Sequence, residues 1–237
     1  MHIYSLCMLM KIFLVSIFPE IFESFLQTSL IAKAQEKRIL EFEIINPRNF
    51  CTDKHQQIDD EIYGGGKWML LKAQPLIDTI NHIVEQNQLQ KSDFSILFPS
   101  PSQQVFNQKV AYGQSKKDAL IFVCGRYEGI DARFEKYCME HYPDQFKKLS
   151  LGQFILLGGE LPSCVMIEAI TRLIPWVIKE KQSRIDESYA IKDGMTTLEA
   201  PNYTRPEEVY GMKVPEVLLT WDLEAIAQRK LDNMTHL

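Results

Sequence analysis

The chain reads as an α/β protein. Short apolar runs alternate with longer amphipathic ones along its 237 residues, the pattern of strands interleaved with helices. Three of the apolar runs end in or near turns rich in glycine or proline, which is how strands of an open sheet hand over to loops. At this length a chain buries a substantial core without disulfides or structural metals.

Residues 11–18, KIFLVSIF, form the first strand, continuously apolar as a strand buried on both faces should be. Residues 1–9 stand apart as an N-terminal extension, with Met10 an alternative start. The apolar run 3–18 is broken by Lys11 and followed by no small-residue cleavage site. It is also short for a membrane span. Pro19 suits the first position of a helix, and Phe22, Phe25, Leu26 and Leu30 follow at helical spacing. Residues 40–45 make a second strand, closed by the polar stretch 46–60, and YGGG at 63–66 is a turn.

A helix is predicted over 75–86 and a third strand over 93–98, broken at Pro99 and Pro101. A helix over 104–112 precedes the strand 119–124, which runs into GRYEGID. The apolar residues 154–157, bounded by Gly152 and by Gly158 and Gly159, are predicted as the next strand. From Pro162 a long helix places Met166, Ile170, Leu173 and Val177 on one stripe, with Arg172 off it. Residues 179–213 are polar and punctuated by glycine and proline, like a linker with binding capacity. Residues 222–233 form a final helix.

The net charge of −5 excludes a general basic field for nucleic acid. RNA contact falls to local clusters, Lys147 and Lys148, then Lys179, Lys181 and Arg184. The five cysteines (Cys7, Cys51, Cys124, Cys138, Cys164) are odd in number and lack knuckle or redox spacing. The histidines are scattered too, so no metal site is expected. A reduced, cytoplasmic protein that engages neither membrane nor DNA is the expectation.

Three turns carry the chemistry: 99–101, 125–129 and 152–159. Ligands of open α/β sheets settle beyond the carboxyl ends of strands, and turns free of bulky side chains let the backbone approach them. The fingerprint G-x-G-x-x-G and the phosphate cradle G-x-x-x-x-G-K-[ST] are both absent. A dinucleotide-dependent dehydrogenase and a P-loop NTPase are therefore unsupported.

FPEIF (18–22), DDEIYGGG (59–66), CGRYEGID (124–131), LGQFILLGGELP (151–162), RLIP (172–175), NYTRPEE (202–208) and VPEVLL (214–219) occur in this order. In that series the chain resembles the bacterial tRNA (guanine-37-N1)-methyltransferases of the knotted (SPOUT) superfamily, over about residues 10–219. The resemblance implies a deep trefoil-knotted parallel-sheet domain at 10–178, a linker at 179–190 and a short, mainly helical C-terminal domain at 191–237 that grips the tRNA anticodon arm. It implies S-adenosylmethionine as methyl donor and a homodimer sharing each active site. The donor pocket it implies comprises Phe98, Ser100, Pro101, Gly125, Tyr127, Glu128, Gly129, Leu151, Gly152, Gln153, Phe154, Ile155, Leu156, Gly158, Gly159 and Pro162. Asp59, Trp68 and Arg172 are implied on the acceptor side.

Guanine N1 carries a proton, so methylation needs a base to remove it and a donor or cation to stabilise charge on O6. The family uses an Asp in a short D-S-[FY] motif and an Arg on the helix after the knot loop. Arg172 matches the arginine. The motif reads Asp186-Glu187-Ser188-Tyr189, which puts Glu187 where the family has Asp and leaves Asp186 as the alternative base. Lys67 and Trp68 stand where the family carries a small residue and a glycine, Gln153 replaces an acid, and Trp221-Asp222-Leu223 replaces a glycine-and-histidine segment. Two readings follow: an enzyme that methylates N1 of guanine 37, and a catalytically impaired homologue that binds donor or RNA without turnover.

Overall fold

The computed structural model describes residues 9–65, 68–178, 187–189, 191–192 and 195–236. The chain divides into two compact units, residues 1–178 and 179–237. In the first, β1 (Met10–Val15) leads through a short 3-10 turn into α1 (Glu23–Leu26) and α2 (Ser29–Glu36). Then come β2 (Leu40–Ile45), the hairpin β3 (Asp59–Glu61) and β4 (Met69–Leu71), and α3 (Ala73–Gln86). The remainder runs β5 (Phe94–Pro99), α4 (Gln108–Gln114), β6 (Ala119–Val123), α5 (Ala132–His141), β7 (Phe146–Leu149) and α6 (Glu160–Thr171).

Five of these strands form one sheet in the order β2-β1-β6-β5-β7, and every pairing in it is parallel. The two-residue period of a strand sends alternate side chains to opposite faces. Ile12, Leu14, Leu120 and Phe122 join one core with residues of α2, α4 and α6. Phe13, Val15, Ile121 and Val123 join the other with residues of α3 and α5. Burial on both faces explains why β6, at the centre of the sheet, is apolar throughout.

Four elements depart from the sequence-based expectation. The helical run 19–30 is split, because Thr28 is extended (ψ 140°) before α2 begins; in the triplet Gln27-Thr28-Ser29 the hydroxyls compete with helical hydrogen bonding. The helix expected over 104–112 starts only at Gln108. Asn107 caps it by accepting from Val110 N–H, while 104–106 exchanges backbone hydrogen bonds with Ser150. The strand expected at 154–157 is a loop, and the last strand is instead Phe146–Leu149 at the sheet edge, where Lys147 and Lys148 are tolerated. The last helix of this unit stops at Thr171, short of Val177, because Pro175 cannot continue a helix and biases Ile174 away from it. Val177 is still buried.

The second unit is described in part. Its described residues hold one α-helix, α7 (Leu223–Asp232), with short strands β8 (Ile191–Lys192), β9 (Met195–Leu198), β10 (Glu208–Val209), β11 (Met212–Lys213) and β12 (Thr235–His236). Asp222 caps α7 by accepting from Glu224 and Ala225 N–H. Most of the linker expected at 179–190 lies outside the described residues.

Candidate functional site

The carboxyl ends of β5, β6 and β7 open into one cleft of ≈ 280 Å³, near the lower end of the ~300–1,000 Å³ usual for small-molecule sites. Its walls are residues 98–101, 125–129, 149–152 and 154–159, with Pro162 of α6. Phe98, Ser100, Pro101, Gly125, Tyr127, Glu128, Gly129, Leu151, Gly152, Phe154, Ile155, Leu156, Gly158, Gly159 and Pro162 thus meet around one space. Gln153 is exposed and lies outside the lining.

Glycine makes this closure possible. A Cβ on Gly159 would lie 2.8 Å from Cys124 Cα, and the Gly159 N–H donates to Gly125 O at 2.9 Å. The loop before α6 is therefore laced directly to the loop after β6, backbone to backbone. Gly129 sits at φ +122°, a conformation that L side chains rarely adopt. Tyr127 also has positive φ (58°) with its ring half exposed at the cleft. Strain of that kind in an aromatic residue persists where the surroundings over-determine it. Here the surroundings are β4: Glu128 N–H donates to Met69 O, Leu71 N–H to Gly129 O and Asp131 N–H to Leu71 O.

The charged residues of the lining are Arg126 and Glu128. Among the described residues there is no group of three or more His, Cys, Asp or Glu placed to hold a metal ion. Cys124, just beneath the cleft, is fully buried. Burial, with the nearby Glu160 carboxylate, pushes its thiol far above the ordinary cysteine range. It is no nucleophile. The cleft offers backbone groups, apolar walls and one charge of each sign, which suits a neutral or zwitterionic nucleoside-bearing ligand better than a polyphosphate.

The residues expected on the acceptor side are not in this lining. Asp59 pairs with Leu71 in the β3–β4 hairpin, and Trp68, 61% exposed, stands just before β4. Because β4 is bonded to the 126–131 loop, the hairpin is attached to the rim of the cleft. Lys67 lies outside the described residues. Arg172 caps the carboxyl end of α6, its N–H bonded to Glu168 O at 3.2 Å.

Glu187 belongs to the second unit. There the Ser188 hydroxyl accepts from Glu199 N–H at 3.1 Å, and Tyr189 N–H donates to Thr197 O at 2.7 Å. Asp186 lies outside the described residues. The lining also holds Arg126, Pro99, Leu149, Ser150 and Leu157, which the motif comparison passed over. Arg126 was legible as the one cation in the turn after β6.

The family model described as tRNA (Guanine-1)-methyltransferase TrmD matches residues 10–236. Among curated proteins, the tRNA (guanine-N(1)-)-methyltransferase of Clostridioides difficile strain 630 is 40% identical, covering 89% of this chain and 86% of the relative. The protein of that name from Clostridium botulinum strain Eklund 17B is 43% identical over 95% of this chain and 88% of its own. The one from Dictyoglomus turgidum is 38% identical over 92% and 82%.

Proposed function

The chain belongs to the tRNA (guanine-1)-methyltransferase family, and on that premise we propose that it transfers a methyl group from S-adenosylmethionine to N1 of guanine 37 of tRNA, beside the anticodon. The observation that carries this reading is the single cleft. Segments 98–101, 125–129 and 151–162, far apart in sequence, close around one space at the carboxyl ends of three parallel strands. The trefoil knot is part of the proposal and rests on the family relationship.

S-adenosylmethionine supplies an electrophilic methyl on a sulfonium. The chain's part is to bind, orient and move a proton. Backbone groups of the three loops hold the adenosine, and the glycines let them come close. Ordering donor and acceptor in one geometry supplies much of the acceleration.

Glu187, or Asp186 beside it, takes the N1 proton, a role that contributes roughly 10²–10⁴-fold. Arg172 stabilises the charge that grows on O6 as the proton leaves. Trp68 and Asp59, on the hairpin attached to the cleft rim, face the RNA, and the Trp68 indole offers a stacking surface.

Homodimerisation is supported by exposed apolar side chains on and around α6. Leu161 and Val165 lie one turn apart on α6, and Ile155, Leu157 and Trp176 are exposed nearby in sequence. In the second unit, Arg229 lies 5.3 Å over the Tyr203 ring, and Tyr210 and Trp221 stand almost fully exposed. These aromatic and cationic groups suit the anticodon arm. Among the described residues no helix is long and apolar enough to cross a membrane. We place the enzyme in the cytoplasm, with its substrate.

Radiolabelled methyl transfer to unmodified tRNA transcripts bearing guanine or adenine at position 37 tests the function. Incorporation with guanine alone is expected. Donor binding without incorporation into either transcript would mean an impaired homologue.

A further inference from the structure

We propose that Glu160 is a positioning residue for the donor cleft. It acts through Arg126 and Ser16 to hold the loops after β6 and before α6 at a set separation, and this rests on the donor assignment made above. Glu160 opens α6 directly behind Gly159, and it is 0% exposed. A buried carboxylate is costly unless both oxygens are matched. They are: Oε1 accepts from Ser16 Oγ at 2.6 Å and Oε2 from Arg126 Nε at 2.8 Å. Those partners lie 144 and 34 residues away in sequence. One carboxylate thus ties the end of β1, the loop after β6 and the start of α6.

Arg126 is held from several directions. Its guanidinium carbon lies 4.7 Å over the Phe18 ring, and Phe18 N–H donates to Ser16 Oγ at 3.0 Å. Gly158 passes directly beneath it, paired with Arg126 in an antiparallel bridge. A Cβ on Gly158 would collide with Arg126 Nε and come 2.6 Å from Cδ. Arg126, Gly158 and Gly159 all line the cleft. The guanidinium, held by the Nε–Oε2 bond and the Phe18 ring, therefore sets the spacing between two cleft walls, which a sliding apolar contact would not do.

An ion pair with only a stabilising role and one that shapes the cleft respond differently to charge-balanced replacement. The test measures thermal unfolding of the full chain and its affinity for S-adenosylhomocysteine by titration calorimetry. Arg126→Met leaves the Glu160 carboxylate buried without its cation, so Tm falls and affinity drops about tenfold or more. In Arg126→Met/Glu160→Gln the stranded charge is gone. Tm recovers most of the loss, while affinity stays low.

Gly158→Ala keeps both charges while its Cβ displaces the guanidinium, and it too lowers affinity. Affinity that recovers together with Tm in the double variant would overturn the positioning role. So would wild-type affinity in both Gly158→Ala and Arg126→Met. Failure of the wild-type chain to bind the probe would overturn the donor assignment itself, and the positioning role with it.

Discussion

The proposed donor side and the proposed acceptor side of this enzyme are built differently. The cleft is closely packed: Gly159 backbone against Cys124 backbone, Gly125 against the Phe98 ring, β4 hydrogen-bonded to the Tyr127 turn, and a buried Glu160 carboxylate behind them. The groups proposed for the acceptor lie outside that lining instead, at the ends of elements and in the second unit. Trp68 is exposed, Arg172 ends a helix half-buried, and Glu187, also half-buried, belongs to the second unit. A small donor can be surrounded by a preformed protein site. A tRNA brings its own large surface, so its contacts wait on the outside.

This contrast predicts which variants separate turnover from donor binding. Arg172→Ala is expected to have the largest effect, a loss of roughly 10²–10³-fold or more in turnover, with S-adenosylmethionine affinity nearly unchanged. Single-turnover methyl transfer and calorimetry read the two quantities. A large loss of donor binding would move Arg172 to the other side of the comparison. Next, Glu187→Gln and Asp186→Asn are compared directly: the true base loses about 10²-fold or more, and the other variant stays close to wild type. Equal, undiminished rates in both would remove the assigned base.

Gly159→Ala attacks the donor side. Its Cβ would press on Cys124 Cα, which is backbone and cannot swing away, so we expect about 1–3 kcal/mol of destabilisation together with weaker donor binding. Thermal unfolding with and without donor measures both. The smallest effect is expected at Trp68. Trp68→Ala should raise KM for tRNA by a few fold to roughly tenfold, within the ~1–3 kcal/mol of one base stack, and leave donor affinity alone. An unchanged KM would turn the indole away from the RNA.

Much of the site was legible before the fold. CGRYEGID and LGQFILLGGELP hold most of the cleft lining, because a backbone that must approach a ligand writes itself into sequence as glycine and proline. What stayed illegible depends on context rather than residue type. Residues 154–157 are as apolar as any strand here, yet they are exposed in the cleft loop. Residues 146–149 carry two lysines, yet they complete the sheet, because an edge strand need not be apolar on both faces. An acid such as Glu160 in the first turn of a helix carries no special signal, since the helix dipole alone accounts for it.

By itself the sequence determined the alternation that makes a two-faced parallel sheet and the glycine turns that end its strands, since both follow from periodicity and backbone freedom within a few residues. The tertiary structure decided which strand closes the edge and which loops meet. It also made a carboxylate at 160, an arginine at 126 and a serine at 16 into one buried group. Contacts across 144 residues leave no local pattern; only burial, which belongs to the whole fold, selects them.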